Sequence, residues 1–322
     1  MTKNRHYFIV LTLFLFVVIV WAPAGMLKAD HQNSEHKVSV ILDNCSSDRW
    51  ISLRQGLEQA AEEHHVVINY VSTDTALRID EQIDLINTEI ENGAEGIIVR
   101  MIASDDCVEE MESISQRTAL MLLESDIGPE DVYALTAPDN QELGRALANA
   151  IVDKFGQELS EKKIGILYGN QSLISMQQRL KGLEEVLSEN NSRIVWRRRS
   201  VTKDNYQELQ RIDTADIIVA LGNDETEQMT DYIIMTDHGD RECYLYGIGC
   251  SEKVVYHLDK GLIDMLVVPN DFSMGYQSME AIAKQLRYHL SVTNGSRVDY
   301  LVINKQNLYD EENQKVLFPI VQ

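Results

Sequence analysis

The sequence predicts an α/β protein with two lobes, each built around a parallel β-sheet. From Lys37 onward, short β-branched runs alternate with amphipathic stretches of helical length, which is the pattern of βαβ units with right-handed crossovers. The β-branched runs are almost wholly apolar, as expected for parallel strands buried on both faces. One series of these units ends near Ala137 and a second starts near Ile164. No Gly/Ser linker separates the two series, so the lobes are expected to share a cleft.

The predicted strands and helices alternate along the chain. The strands are Val38–Leu42, Val66–Val71, Gly96–Met101, Ala119–Leu123, Ile164–Tyr168, Arg193–Trp196, Asp216–Leu221, Tyr244–Gly249 and Met265–Val268. Two apolar stripes with helical spacing are Ile79, Ile83, Ile86, Ile90 and Leu143, Leu147, Ile151, Phe155. Gly93 and Gly156 stand where helix C-caps are expected. Asp139 or Asn140 can cap the start of the second helix.

The first 30 residues have the order of an export signal. Lys3 and Arg5 precede the apolar run Phe8–Ala22, and Ala22-Pro23-Ala24 follows as a small-residue cleavage pattern. Because the apolar stretch approaches the roughly 20 residues of a membrane-spanning helix, a cleaved signal peptide and an uncleaved anchor both fit. Either one places the remaining chain in the periplasm or on the outer face of the cytoplasmic membrane. A lipoprotein signal is not expected, since the first cysteine is Cys45.

Composition excludes several classes of function. The formal charge of −22 argues against nucleic acid as a partner. No motif for covalent catalysis, histidine cluster for a metal or dinucleotide fingerprint occurs, so catalytic residues, metals and cofactors are not predicted. Cys243 and Cys250 flank one predicted strand and are too far apart to bridge. Cys45 and Cys107 can form a disulfide only if their loops are neighbours.

Several motifs lie at strand ends and helix starts along the exported chain. They are Asp43–Trp50 with Leu53 and Gly56, Gly93–Val99, Asp139-Asn140 with Gly144, Arg179 with Gly182, Asn223–Glu225, Met274–Tyr276 and Val302–Asn307. In order and spacing, this set resembles the type I periplasmic binding proteins, the group that includes ribose- and galactose-binding proteins. The resemblance covers nearly the whole exported chain.

The resemblance implies the type I periplasmic-binding-protein fold, with two lobes joined by three crossings of a hinge. After the N-terminal segment 1–30, the first lobe would comprise 37–137 plus 270–297. The second lobe would comprise 138–269 plus 298–322, with Val298–Asn304 as its last strand. Such lobes close on a ligand by a hinge motion driven by contacts to both of them.

Five polar or aromatic residues are candidates for ligand binding. Trp50 stands where the family stacks a ring on a sugar, and Arg179 can hold two hydroxyls or a carboxylate. Asn223 can both donate to and accept from a hydroxyl pair. Glu124 stands where sugar binders commonly have an aspartate. Arg100 can meet an anionic group.

Four of the five candidates also have a structural interpretation. Trp50 can pack into its own lobe, and Arg179 can form an exposed salt bridge. Asn223 can be a turn residue before a helix capped by Asp224, and Arg100 can pair with nearby acids. Sequence alone does not decide between the two interpretations.

Three departures from the family pattern put an ordinary sugar in doubt. Arg49 replaces the first of two aromatic residues, Gly249 replaces an aspartate, and Pro269 replaces a glutamine at the second hinge crossing. Because buried hydroxyls without partners are penalised, a site without these side chains is expected to bind a hexose poorly.

Two functions fit this sequence. The first is an extracytoplasmic solute-binding protein that captures a small polar, sugar-like ligand for an ABC-type importer. The alternative is a sensor of the same fold, anchored through its N-terminal segment, that signals to a membrane histidine kinase or chemoreceptor. Transcription repressors of this fold would need an N-terminal helix-turn-helix, whereas an apolar segment stands there.

Overall fold

A computed structural model describes residues 35–73, 78–104, 107–128, 133–200, 215–235, 243–289 and 295–318. The predicted signal peptide or anchor, residues 1–30, lies outside these ranges, so the choice between the two stays a prediction. Within the described ranges, no helix combines the length and apolar character needed to cross a membrane. Contacts divide the chain into Met1–His36 and Lys37–Gln322, and the fold below is that of the second unit.

Six strands form the first sheet. They are β1 (His36–Asp43), β2 (Val66–Thr73), β3 (Gly96–Val99), β4 (Ala119–Leu123), β5 (Leu135–Pro138) and β11 (Ser296–Val298). Their spatial order is β11-β5-β4-β3-β1-β2, and the pairings β1–β3, β3–β4, β4–β5 and β5–β11 are parallel. The accompanying helices are α1 (Ile51–His64), α2 (Ile79–Glu91), α3 (Val108–Ser115) and α8 (Asp271–Tyr288).

The second sheet also has six strands. They are β6 (Lys163–Tyr168), β7 (Arg193–Arg199), β8 (Ile217–Ala220), β9 (Tyr244–Ile248), β10 (Met265–Pro269) and β12 (Tyr300–Asn304). Their order is β12-β10-β9-β8-β6-β7, and only the edge pairing of β12 with β10 is antiparallel. The helices are α4 (Asn140–Phe155), α5 (Ile174–Glu189), α6 (Asn223–Met235), α7 (Glu252–Asp259) and α9 (Glu311–Leu317).

The chain passes between the sheets three times, after β5, after β10 and after β11. The predicted two-lobed α/β fold is therefore confirmed. The expected strand Val298–Asn304 is wrong in one respect, because it is divided at Asp299 between the two sheets. The sequence does not show this division, since both halves have the same β-branched character. The short strand β5 is an additional element that the apolar pattern did not indicate.

Local signals in the sequence account for the helix ends. Asp139 Oδ1 accepts a hydrogen bond from the backbone N–H of Glu142 at 3.1 Å, so Asp139 is the N-cap of α4. Gly93 has a φ of +90° just beyond the end of α2, a conformation that glycine adopts without strain. Both helices are therefore positioned by residues at which the sequence predicts their boundaries.

Cys45, Cys107, Cys243 and Cys250 all lie in the described part of the chain and form no disulfide there. The bridge considered between Cys45 and Cys107 is not formed. Cys107 is fully buried in the apolar core beside the first sheet, whereas Cys45 is half-buried and its backbone N–H donates to Ser72 Oγ. Cys107 therefore behaves as a small apolar core residue.

Candidate functional site

The candidate site is a small cavity at the carboxyl ends of the strands, between the two sheets. Ligands of open α/β sheets bind at this edge because the loops from neighbouring strands converge there. The cavity measures about 30 Å³. It is lined by Arg49, Trp50, Glu124, Pro138, Arg179, Asn223, Ile248, Gly249, Cys250, Pro269, Asp271 and Met274. Four of the five predicted ligand residues therefore meet at one place, and Arg100 lies behind them, bonded to Glu124.

Glu124 is the centre of a buried ion cluster. Its carboxylate accepts from Arg179 Nη2 at 2.7 Å, from Arg49 Nη2 at 3.2 Å and from Arg100 Nε. The residue directly follows β4 and has a φ of +66°, a left-handed conformation that is uncommon for residues other than glycine. Asn140 Nδ2 donates to its backbone carbonyl at 2.9 Å. The carboxylate is thus aimed at three guanidinium groups at a cost in backbone strain.

The arginines control the ionisation of this cluster. Burial alone raises the pKa of Glu124, but Arg100, Arg49 and Arg179 outweigh burial and hold its pKa well below the ordinary value. Burial likewise raises the pKa of Asp43, and Arg100, which donates to Asp43 Oδ1 at 3.0 Å, helps to lower it below the ordinary value. Both carboxyls are therefore ionised at neutral pH.

Arg179 is held rigidly by three acceptors. Nε donates to Asn140 Oδ1 at 2.8 Å, Nη1 donates to the carbonyl of Leu221 at 3.2 Å, and Nη2 donates to Glu124. The side chain is buried, so its ion pair is internal rather than the exposed salt bridge of the structural interpretation. Because these three donors are engaged, the Arg179 guanidinium holds the Glu124 carboxylate in place from the second lobe.

Trp50 is covered by Arg49. The indole Nε1 donates to the carbonyl of Asp43 at 2.9 Å, and only 2% of the residue is exposed. The Arg49 guanidinium carbon lies 4.2 Å from the centre of the ring, in a cation–π contact. One face of the ring is thus in contact with a side chain of the same loop, and the buried ring presents no open face to a sugar.

The side chain of Asn223 forms its hydrogen bonds within the second lobe. Its Oδ1 accepts from the backbone N–H groups of Cys250 and Ser251 at 3.2 and 3.0 Å, and its Nδ2 donates to Glu227 at 3.0 Å. Gly249 has a φ of +144°, and a Cβ there would lie 2.6 Å from Asn223 Oδ1. The aspartate that is usual at this position in the family would therefore clash with the Asn223 side chain in its observed position.

Asp271 and Cys250 are cavity residues that the sequence reasoning missed. Cys250 Sγ donates to Asp271 Oδ2 at 3.3 Å. Burial raises the pKa of Asp271 to about 6, and burial also raises the pKa of the Cys250 thiol. Both follow strands of the second sheet, β9 and β10, closely. Inspection of every residue after a strand end would have found them.

Comparison with protein families gives a match over residues 38–289 to the family described as periplasmic binding protein domain. The chain belongs to this family. Its members are solute-binding proteins and not enzymes, so the chain is a binding protein without catalytic function. The resemblance inferred from the motifs is thereby confirmed. The search of curated proteins finds no match.

Solved structures similar to this periplasmic binding protein show the same fold. A glucose-galactose binding protein, GanP from Geobacillus stearothermophilus, is 19% identical, with a TM-score of 0.74 over 86% of this chain and 99% of its own. A Caulobacter myo-inositol binding protein bound to myo-inositol is 16% identical, with a TM-score of 0.76 over 88% and 98%. A XylFII–LytSN complex is 18% identical, with a TM-score of 0.74 over 85% and 99%.

Direct hydrogen bonds join the two lobes of this periplasmic binding protein beside the cavity. The start of α5 donates them: the backbone N–H of Ile174 donates to Ser104 Oγ at 3.2 Å, and that of Ser175 donates to Ser125 Oγ at 3.1 Å. Leu173, the residue at the N-cap position, makes no side-chain cap bond. Serine hydroxyls of the first lobe thus satisfy helix amides of the second.

Replacing both Ser104 and Ser125 with alanine is expected to favour separation of the lobes. Each lost bond to a buried amide costs about 1 kcal/mol. The double variant should therefore shift the equilibrium between joined and separated lobes by about 2 kcal/mol toward separation. Small-angle X-ray scattering should then give a larger radius of gyration. Ser188→Ala, an exposed change at the other end of α5, is the control. An unchanged radius in the double variant would contradict a role of these bonds in holding the lobes together.

Proposed function

We propose that this protein is an extracytoplasmic binding protein that captures a small polar ligand between its lobes for an ABC-type importer. The observation that carries the proposal is the convergence of side chains from both sheets on one cavity. Glu124 comes from the end of β4 in the first sheet, and Arg179 comes from α5 beside the second. A ligand held between the lobes would draw its binding energy from their joined arrangement.

The hinge supports this proposal. Two of the three chain crossings, at Pro138 and Pro269, line the cavity, and the third lies at Asp299, whose carbonyl accepts from the backbone N–H of Asn270 at 2.9 Å. We propose that the lobes comprise 37–137 plus 270–297 and 138–269 plus 298–322, and that they rotate about these crossings. The family suggests an extracytoplasmic location, in agreement with the signal-like residues 1–30.

A sensor is the second candidate. Its support is the similar structure described as a XylFII–LytSN complex, in which a protein of this fold has another polypeptide as its partner. The near-spanning length of the N-terminal apolar segment agrees with an anchored protein. In this case, ligand binding between the lobes would be signalled to a membrane histidine kinase or chemoreceptor.

A thermal-shift screen tests the binding function. The panel contains pentoses, hexoses, polyols and small hydroxy acids. A ligand at about 100 times its Kd should stabilise the folded protein by about 2.7 kcal/mol, seen as a higher Tm. A panel in which no compound raises the Tm would contradict the proposal.

The importer and the sensor are separated by the state of the N-terminus and by the partner. For the importer, N-terminal sequencing of the exported protein should show cleavage near Ala24, and cross-linking in native membranes should capture a permease. For the sensor, the N-terminus should be intact and the cross-linked partner should contain a kinase or chemoreceptor domain.

A further inference from the structure

The charged groups around the cavity differ in how firmly the protein holds them. Arg100 is engaged by Asp43 and Glu124, and Arg179 is engaged by Asn140, Leu221 and Glu124. These two guanidinium groups are buried and face partners with good geometry. The N–H groups that make these bonds cannot serve a ligand without breaking an internal bond.

Arg49 is the exception among the three arginines. Its Nη2 donates to Glu124, but its Nη1 lies 3.6 Å from Asp224 Oδ2, too far for a strong hydrogen bond. The Asp224 side chain is 64% exposed and the Arg49 side chain only 15%. A solvated carboxylate at this distance contributes little to stability. One edge of a shielded guanidinium therefore has only a loosely held counter-ion.

The direct ion pairs give Arg49 an exposed partner in addition to its shielded one. Arg49, Arg100 and Arg179 form direct ion pairs with the shielded carboxylates of Asp43 and Glu124, and the half-buried Asp271 is a third carboxyl near Arg49. The remaining contact goes to the exposed Asp224. An anion that contacts Arg49 from the side of Asp224, but is shielded from solvent between the lobes, would form a stronger ion pair with Arg49 than Asp224 does.

The groups around Arg49 suit a neutral sugar ring poorly. The guanidinium covers the face of Trp50. Gly249 and Pro269 bring no side-chain acceptor for sugar hydroxyls. The site thus lacks a free aromatic face and the two side-chain acceptors that the family usually has at positions 249 and 269.

We infer that Arg49 makes the cleft selective for a small hydroxy acid over neutral sugars, an inference that rests on the proposed binding function. The ligand carboxylate displaces Asp224 at Arg49 Nη1, and the Asp224 side chain turns into solvent. The carboxyl group of Asp271, which also lines the cavity, accepts a ligand hydroxyl. Arg49 keeps its contact with Trp50 in the complex.

Matched pairs of compounds test this selectivity by calorimetry on the full chain. The pairs are glycerate with glycerol, gluconate with sorbitol, and galacturonate with galactose, in which the acid and its neutral counterpart have similar size. In at least one pair, the acid should bind tenfold or more tightly than the neutral compound. Equal or tighter binding of the neutral members overturns the inference while leaving the proposed function intact. A chain that binds no member of these pairs or of the wider panel overturns both.

Three variants locate the selectivity. Arg49→Gln should abolish the preference for the acid, and Asp224→Asn should strengthen acid binding about threefold or more, because it removes the competing carboxylate. Arg78→Gln is the matched control, since Arg78 lies in the same lobe, 74% exposed, and pairs with Asp80. Arg78→Gln should bind like the unmodified protein. A preference that survives Arg49→Gln, or acid binding weakened by Asp224→Asn, overturns the inference.

Discussion

Replacing Glu124 with glutamine is expected to lower the free energy of unfolding by about 3 kcal/mol. Removal of one partner from a buried ion pair usually costs about 3–5 kcal/mol, because the other charge stays buried without compensation. Here three guanidinium groups lose their common carboxylate. The lower end of the range applies because separation of the lobes would admit water to Arg179. Urea unfolding followed by tryptophan fluorescence measures the change.

The effect of Glu124→Gln should depend on pH. The pKa of Glu124 is depressed in the folded protein, so its contribution to stability is complete above the ordinary carboxyl pKa of 4.5. It is lost as the pH falls toward the folded-state pKa. The difference between the two proteins should therefore be full at pH 7 and shrink below about pH 4.5.

Glu89→Gln is the matched control for this prediction. Glu89 is also buried in the first lobe, but it accepts from Ser39 Oγ at 2.6 Å and Asn69 Nδ2 at 2.7 Å instead of from arginines. Its replacement should cost about 1 kcal/mol, the ordinary contribution of a hydrogen bond without an arginine partner. Equal losses in the two variants would contradict the special role assigned to the arginine cluster.

Replacing Gly144 with alanine is expected to destabilise the second lobe by about 3 kcal/mol, at the upper end of the usual cost of overpacking. Helices α4 and α5 cross at Gly144, and a Cβ there would lie 2.0 Å from the backbone carbonyl oxygen of Arg179. Backbone atoms cannot swing aside as a flexible side chain can, so the helices must separate. The gain of about 1 kcal/mol in helix propensity does not offset this separation.

The same substitution should impair ligand binding. Movement of α5 at Arg179 displaces the guanidinium that reaches Glu124 at 2.7 Å. Asn149→Ala, an exposed change in the middle of α4, is the control and should stabilise the protein by about 0.5 kcal/mol through helix propensity. Urea unfolding and the thermal-shift screen measure both effects. Unchanged stability in Gly144→Ala would show that the helices can repack at this crossing.

Much of the fold was predictable because it depends on local and periodic signals. Apolar β-branched runs marked most strands, and Gly93 and Asp139 marked helix ends. The strand division at Asp299 was not predictable, since it depends on which sheet edge lies within reach on each side of that residue. The strand β5 was missed because a strand of four residues is too short to show a clear pattern.

The sequence by itself determined the two α/β lobes, their family and the strand ends at which Trp50, Glu124, Arg179 and Asn223 converge. These features follow from periodicity and from the rule that parallel strands present their carboxyl ends at one edge. Tertiary structure alone decided what the side chains do there. Arg49 covers Trp50 and shares Glu124 with two arginines from other elements. Such roles depend on distances between residues remote in sequence, and the sequence pattern contains no information on those distances.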